Sequence, residues 1–103
     1  MRYLIKVTYM EGRHAGESYL MRKGGYVTDE TEYHGNDDTY KTENIARSIC
    51  RRLYKENESS RRAERRIMER RAKEGNPLPR NWFIYNKQTF EPYPVPADKY
   101  VNI

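Results

Sequence analysis

The side chains best equipped for chemistry in this sequence are cationic, and they are gathered in one place. Residues 42–74 carry 11 basic and 6 acidic groups, against 6 and 7 in residues 1–41 and 3 and 2 in residues 75–103, so the net charge of +5 comes from the middle of the chain. On a helix at about 100° per residue, with Ile45 at zero, nine basic residues fall in one arc from about 200° to 340°. They are Arg47, Arg51, Arg52, Lys55, Arg62, Arg65, Arg66, Arg70 and Lys73. Of the acids only Glu58 and Glu69 share that arc; Glu43, Glu56, Glu64 and Glu74 lie outside it, as do Arg61 and Arg71. Each guanidinium of such a ridge can neutralise a phosphate, hydrogen-bond it and release a condensed counterion. These nine residues are therefore the candidate site for nucleic acid or for a protein partner.

Two other uses suit the same ridge. Long exposed helices rich in Arg and Glu are often solvated faces laced by ion pairs. Here Glu58 with Arg62 and Glu69 with Lys73 have the favourable i, i+4 order, and Arg65 with Glu69 and Arg70 with Glu74 the reverse, each contributing about 0.2–0.5 kcal/mol. The ridge also suits an acidic protein surface.

Catalytic and metal chemistry find little material. His14 and His34 fall in different loops, and Cys50 sits near the apolar side of a helix as a buried thiol, so no nucleophile and base are paired in sequence. The acids Asp29, Glu30, Glu32, Asp37 and Asp38 flank His34, yet their spacing matches no calcium loop, and a solvated contact loop is the simpler use. The expectation is a non-enzyme without metal or cofactor.

The elements that must carry the ridge come next. A chain of 103 residues is the size of one domain. Leu, Ile, Val and Phe number only 16, but ten tyrosines and Trp82 supply large rings with polar tips, enough for a thin sheet with one wet face. One cysteine makes no internal disulfide, and no apolar run reaches the length of a membrane span, so a reducing, cytoplasmic setting is expected.

Residues 1–41 are β-rich. Arg2 to Met10 alternates, with Tyr3, Ile5, Val7 and Tyr9 on one face and Leu4, Lys6, Thr8 and Met10 on the other; a Gly-rich loop leads to a returning strand within Glu17 to Lys23, and Gly24-Gly25 turns into a short third strand near Tyr26 to Thr28. Asp29 to Asp38 reads as an exposed connection. Thr42 is the expected N-cap of a helix over residues 42–74, with Glu43 in its first turn and Gly75 and Pro77 ending it. Asn57-Glu58-Ser59-Ser60 is the one stretch that could break it. Ile45, Ile49, Leu53, Ala63 and Ile67 stay in phase across that stretch, which predicts one helix about 48 Å long. Its first half packs on the sheet, and its outer half is left to project beyond it or to pair with a second copy.

In residues 75–103, Trp82 to Tyr85 reads as an aromatic strand, Thr89 to Glu91 follows a turn, Pro92, Pro94 and Pro96 suit an extended stretch lying over the surface, and Lys99 to Ile103 an edge strand. The predicted architecture is α+β: a small antiparallel sheet of an N-terminal hairpin and third strand, packed on one long Arg-rich helix, with a C-terminal aromatic strand or hairpin. Two functions follow from the charge. One is a non-catalytic protein that contacts DNA or RNA through phosphates. The other is an interaction or inhibitor protein, of the kind mobile elements encode, that docks on a nucleic-acid-processing complex such as an RNA-guided nuclease.

Overall fold

A computed structural model describes residues 1–25, 27–28, 38–77, 79 and 85–95. Strands β1 (Arg2–Tyr9), β2 (Ser18–Met21) and β3 (Val27–Thr28) precede helix α1 (Glu43–Lys73), and β4 (Gln88–Val95) follows it. All strand pairs are antiparallel, in the order β3-β2-β1-β4. The α+β architecture read from the sequence is thus the one observed.

The alternation in β1 sorts its residues between two small cores. Ile5 and Val7 point to α1 and meet Ala46 and Cys50, flanked by half-buried Tyr3, Tyr19, Met21, Tyr40, Ile49, Leu53 and Phe90. Leu4 points to the opposite face and packs with Val95, Leu20 and Tyr93. Tyrosine fills the margins of the first core, as expected of large rings with polar tips. At the hairpin, Tyr9 N–H donates to Glu17 O at 3.0 Å and Gly16 N–H to Tyr9 O at 2.8 Å.

β2 stops at Met21, and the edge of β1 beyond it is taken by Tyr40. Tyr3 N–H donates to Tyr40 O at 2.9 Å and Tyr40 N–H to Tyr3 O at 2.7 Å. Arg2 Nε donates to the buried Thr39 hydroxyl at 2.7 Å and Nη2 to Thr39 O at 3.0 Å. These bonds fix the chain just before Thr42, whose Oγ1 caps α1 by accepting from Ile45 N–H at 3.2 Å. At the far end Gly75 takes φ +76°, and its N–H and that of Asn76 satisfy the carbonyls of Ala72 and Arg71. The helix runs unbroken through residues 57–60 and is about 46 Å long.

Two expectations need correction. The proline-containing stretch does not lie over the surface; residues 88–95 form β4, in register with all of β1 from Arg2↔Val95 to Tyr9↔Gln88. Tyr3 and Tyr9 make their backbone hydrogen bonds on the β2 side, so the even-numbered residues of β1 face β4. Pro92 and Pro94 oppose Ile5 and Tyr3, and the positions of their missing N–H groups therefore point away from β1, at the outer edge of the described sheet, where no ladder bond to β1 is lost.

The second correction concerns the buried face of α1. Ile45 is 46% exposed and Ala63 is exposed, while Ala46, Cys50, Asn57 and Glu64 are buried. Their positions, about 100° to 140° on the same wheel, turn the inward face some 80° from the centre of the predicted stripe. Small Ala46 and Cys50 let the helix approach Ile5 and Val7, with Ile49 and Leu53 filling the flank. Beyond Leu53 the helix passes exposed backbone rather than apolar surface, so the side chains buried there are polar. The predicted strand at Trp82 to Tyr85 falls largely on residues 82–84, outside the described residues, and Tyr85 itself is not in a strand. The acidic connection up to Asp37 and the edge strand at Lys99 to Ile103 also lie outside them.

Candidate functional site

The polar contacts of the middle of α1 decide which way its charged face looks. Asn57 Nδ2 donates to Asn86 O at 3.1 Å, and its Oδ1 accepts from Gln88 N–H at 3.1 Å. Two turns on, the buried Glu64 carboxylate accepts from Tyr85 N–H at 3.0 Å. Between them Arg61 donates from Nη2 to Glu11 at 3.0 Å and from Nη1 to Glu58 at 2.9 Å, and Glu11 also accepts from Lys87 N–H at 2.8 Å. The Glu11 carboxyl is held below its ordinary range, chiefly by that Lys87 N–H, with partial burial opposing and the Arg61 charge assisting. Helix, hairpin loop and the approach to β4 are thereby joined through charge-assisted and backbone bonds, which fix the rotation of α1 about its axis.

Sequence reasoning missed this polar seam. Its signal was available: Asn57, Arg61 and Glu64 continue the phase of Ala46 and Cys50 at helical spacing, and only their polarity hid it.

With the seam facing inward, the nine predicted basic residues lie on the opposite side of the helix, and all nine are exposed. The structure brings them onto one face, with Arg61 and Arg71 excluded from it as their phase requires; Arg71 is half-buried and donates to Asn76 O at 3.2 Å. Three of the nine have helical partners. Arg47 pairs with Glu43, Arg52 approaches Glu56 at 3.7 Å, and Arg51 donates to Ser48 Oγ at 3.3 Å.

The other six, Lys55, Arg62, Arg65, Arg66, Arg70 and Lys73, have no ion pair within 4.0 Å among the described residues. The four spaced pairs anticipated on this face are not made. Glu58 turns instead to Arg61, three residues away and already tied to Glu11. Glu58, four residues before Arg62, is thus committed to the seam, and exposed Glu69, the other acid in the arc, makes no ion pair within 4.0 Å among the described residues, so the five ridge cations from Arg62 to Lys73 are left without a direct acidic partner.

Elsewhere among the described residues chemistry is sparse. His14 Nδ1 lies 2.7 Å from Glu17 Oε2 on the exposed hairpin loop. The Cys50 thiol is buried against the sheet, and burial pushes its pKa up, away from the reactive thiolate. Among the described residues there is no group of three or more His, Cys, Asp or Glu able to hold a metal ion. No helix among them is long and apolar enough to cross a membrane. No protein-family model, curated protein or solved structure matches the chain.

Proposed function

We propose that this protein is a non-catalytic nucleic-acid-contacting protein that places the basic face of α1 along phosphates. The observation that carries this reading is the run of exposed cations that make no ion pair within 4.0 Å among the described residues, set opposite a face that is locked inward by Asn57 and Glu64. From Arg47 to Lys73 the ridge extends about 39 Å, comparable with the roughly 34–36 Å of one turn of B-DNA. Charges held on a docked helix keep their spacing on binding, so ordering costs are confined to the side chains. Contacts of this kind bind with strong salt dependence and little sequence preference.

Fluorescence anisotropy with labelled oligonucleotides across a salt series tests the reading. If about five phosphates are neutralised, log K falls with log salt at a slope near −4 to −5. The Arg62→Glu/Arg66→Glu/Arg70→Glu variant loses most of the affinity and flattens the slope by about 3. Binding that ignores salt, or that this variant leaves untouched, overturns the proposal.

A further inference from the structure

The first half of the ridge borders a cleft whose shape and chemistry differ from those of a convex phosphate-binding face. It lies between α1 and β4, has a volume of about 420 Å³, and is lined by Arg47, Cys50, Arg51, Tyr54, Lys55 and residues 89–92. That volume is within the range of small-ligand sites, about 300–1,000 Å³. Tyr54 is 45% exposed, and Phe90 and Pro92 bring further ring surface from β4. Lys55 has no ion pair among the described residues, and Arg51 commits one donor to Ser48 and retains the rest of its guanidinium. The acid in the lining, Glu91, opposes Lys6 on the far face of the sheet, with its carboxylate 3.9 Å from Lys6 Nζ.

The backbone of β4 narrows the choice of occupant. Even-numbered residues of β4 direct their N–H and C=O groups out of the edge: Gln88 N–H is taken by Asn57, and Pro92 and Pro94 have none. Phe90 alone keeps a free N–H beside a C=O there among the described residues. An incoming β-strand needs donors at successive alternate positions, which this edge lacks. A planar base needs only an aromatic surface, one donor–acceptor pair and a cation for its phosphate.

We infer that the cleft takes a single unstacked base of single-stranded nucleic acid, packed against Tyr54 with Phe90 and Pro92 beneath, its phosphate held by Arg51 and Lys55. The inference rests on the phosphate-contact reading of the ridge and adds the form of the ligand. A paired duplex reaches the ridge but cannot place a base in the cleft; a single strand uses both.

Anisotropy with fluorescein-labelled oligothymidylate and with a mixed-sequence duplex of equal length tests this on three proteins. Tyr54→Ala weakens oligothymidylate binding by about 5- to 100-fold, the loss of one stacked base, and leaves duplex binding within about twofold; Tyr54→Phe restores the strand. Ultraviolet crosslinking of oligothymidylate to the unmodified protein, followed by peptide mapping, places the crosslink on the peptides bearing Tyr54 or Phe90 and does not depend on the variants folding. Equal loss of both ligands in Tyr54→Ala, unchanged strand affinity, or crosslinks confined to Arg62 to Lys73 overturns the cleft while leaving the ridge standing. Failure of the unmodified protein to bind either oligonucleotide at low salt overturns both.

Discussion

Asn57, in the middle of the helix, is joined to Gln88, the first residue of the closing strand: its Oδ1 accepts the Gln88 N–H at 3.1 Å while its Nδ2 donates to Asn86 O at 3.1 Å. One carboxamide thus satisfies a donor and an acceptor of the chain as it enters β4, and it is 8% exposed. Asn57→Ala leaves both groups without partners and is expected to cost about 2–4 kcal/mol in denaturant unfolding. Asn57→Asp keeps the acceptor for Gln88 but turns an oxygen toward Asn86 O, so it is expected to recover only part of the loss.

The Glu11 carboxyl, depressed chiefly by the Lys87 N–H, links the seam to pH. A carboxyl whose pKa is lower when folded stabilises the protein above its unfolded value, near 4.5, and that stability disappears as pH falls through the lowered folded value. Unfolding midpoints measured downward from neutral pH are expected to fall below about pH 4.5, and Glu11→Gln is expected to flatten that portion of the profile. A double-mutant cycle between Glu11 and Arg61 is expected to give a coupling of about 1 kcal/mol or less, since Glu11 remains 47% exposed.

Gly12 and Gly16 separate two effects that a glycine can carry. Both have positive φ, +85° and +88°, so a side chain at either strains the backbone by about 1–2 kcal/mol. At Gly12 a Cβ would also lie 2.6 Å from Asn86 Nδ2, whereas at Gly16 it meets nothing within 4 Å. Gly12→Ala is therefore expected to lower the Tm more than Gly16→Ala. Equal shifts would show that the Asn86 side chain swings aside without cost.

Cys50 offers a spectroscopic check on the core. Its thiol is 7% exposed and its pKa is raised by burial, so a disulfide reagent at mildly alkaline pH is expected to react slowly with native protein and completely in denaturant. Rapid stoichiometric reaction in the native state would show that α1 lifts from the sheet.

Much of this fold is written locally. The alternation of Arg2 to Tyr9, the Thr42 cap and the Gly75 stop can each be read within a few residues, because strand period, capping and left-handed φ are local properties. The nine-residue ridge was readable for the same reason: phase on a helix needs no knowledge of neighbours. The inward face was not, because Asn57 and Glu64 are buried only by virtue of backbone groups at 85–88 that arrive from far along the chain. Pro92 and Pro94 misled in a similar way. Their cost to a strand depends on which edge their nitrogens face, and that is set by the pairing of Tyr3 with Tyr40 on the other side of β1.

The pairing of β1 with β4 carries a consequence for how the protein reaches its native state. Arg2 must find Val95 across nearly the whole sequence, so the sheet is completed by contacts that bring the least local reward for the greatest loop-closure entropy. The helix shortens that search. Once formed, its 31 residues are a stiff rod, and the Asn57 amide stands partway along it as a landing point for the returning chain. Folding is expected to be slow for a chain of this size, with helical signal gained before the sheet closes, and substitutions at Asn57 are expected to retard closure as well as weaken the product.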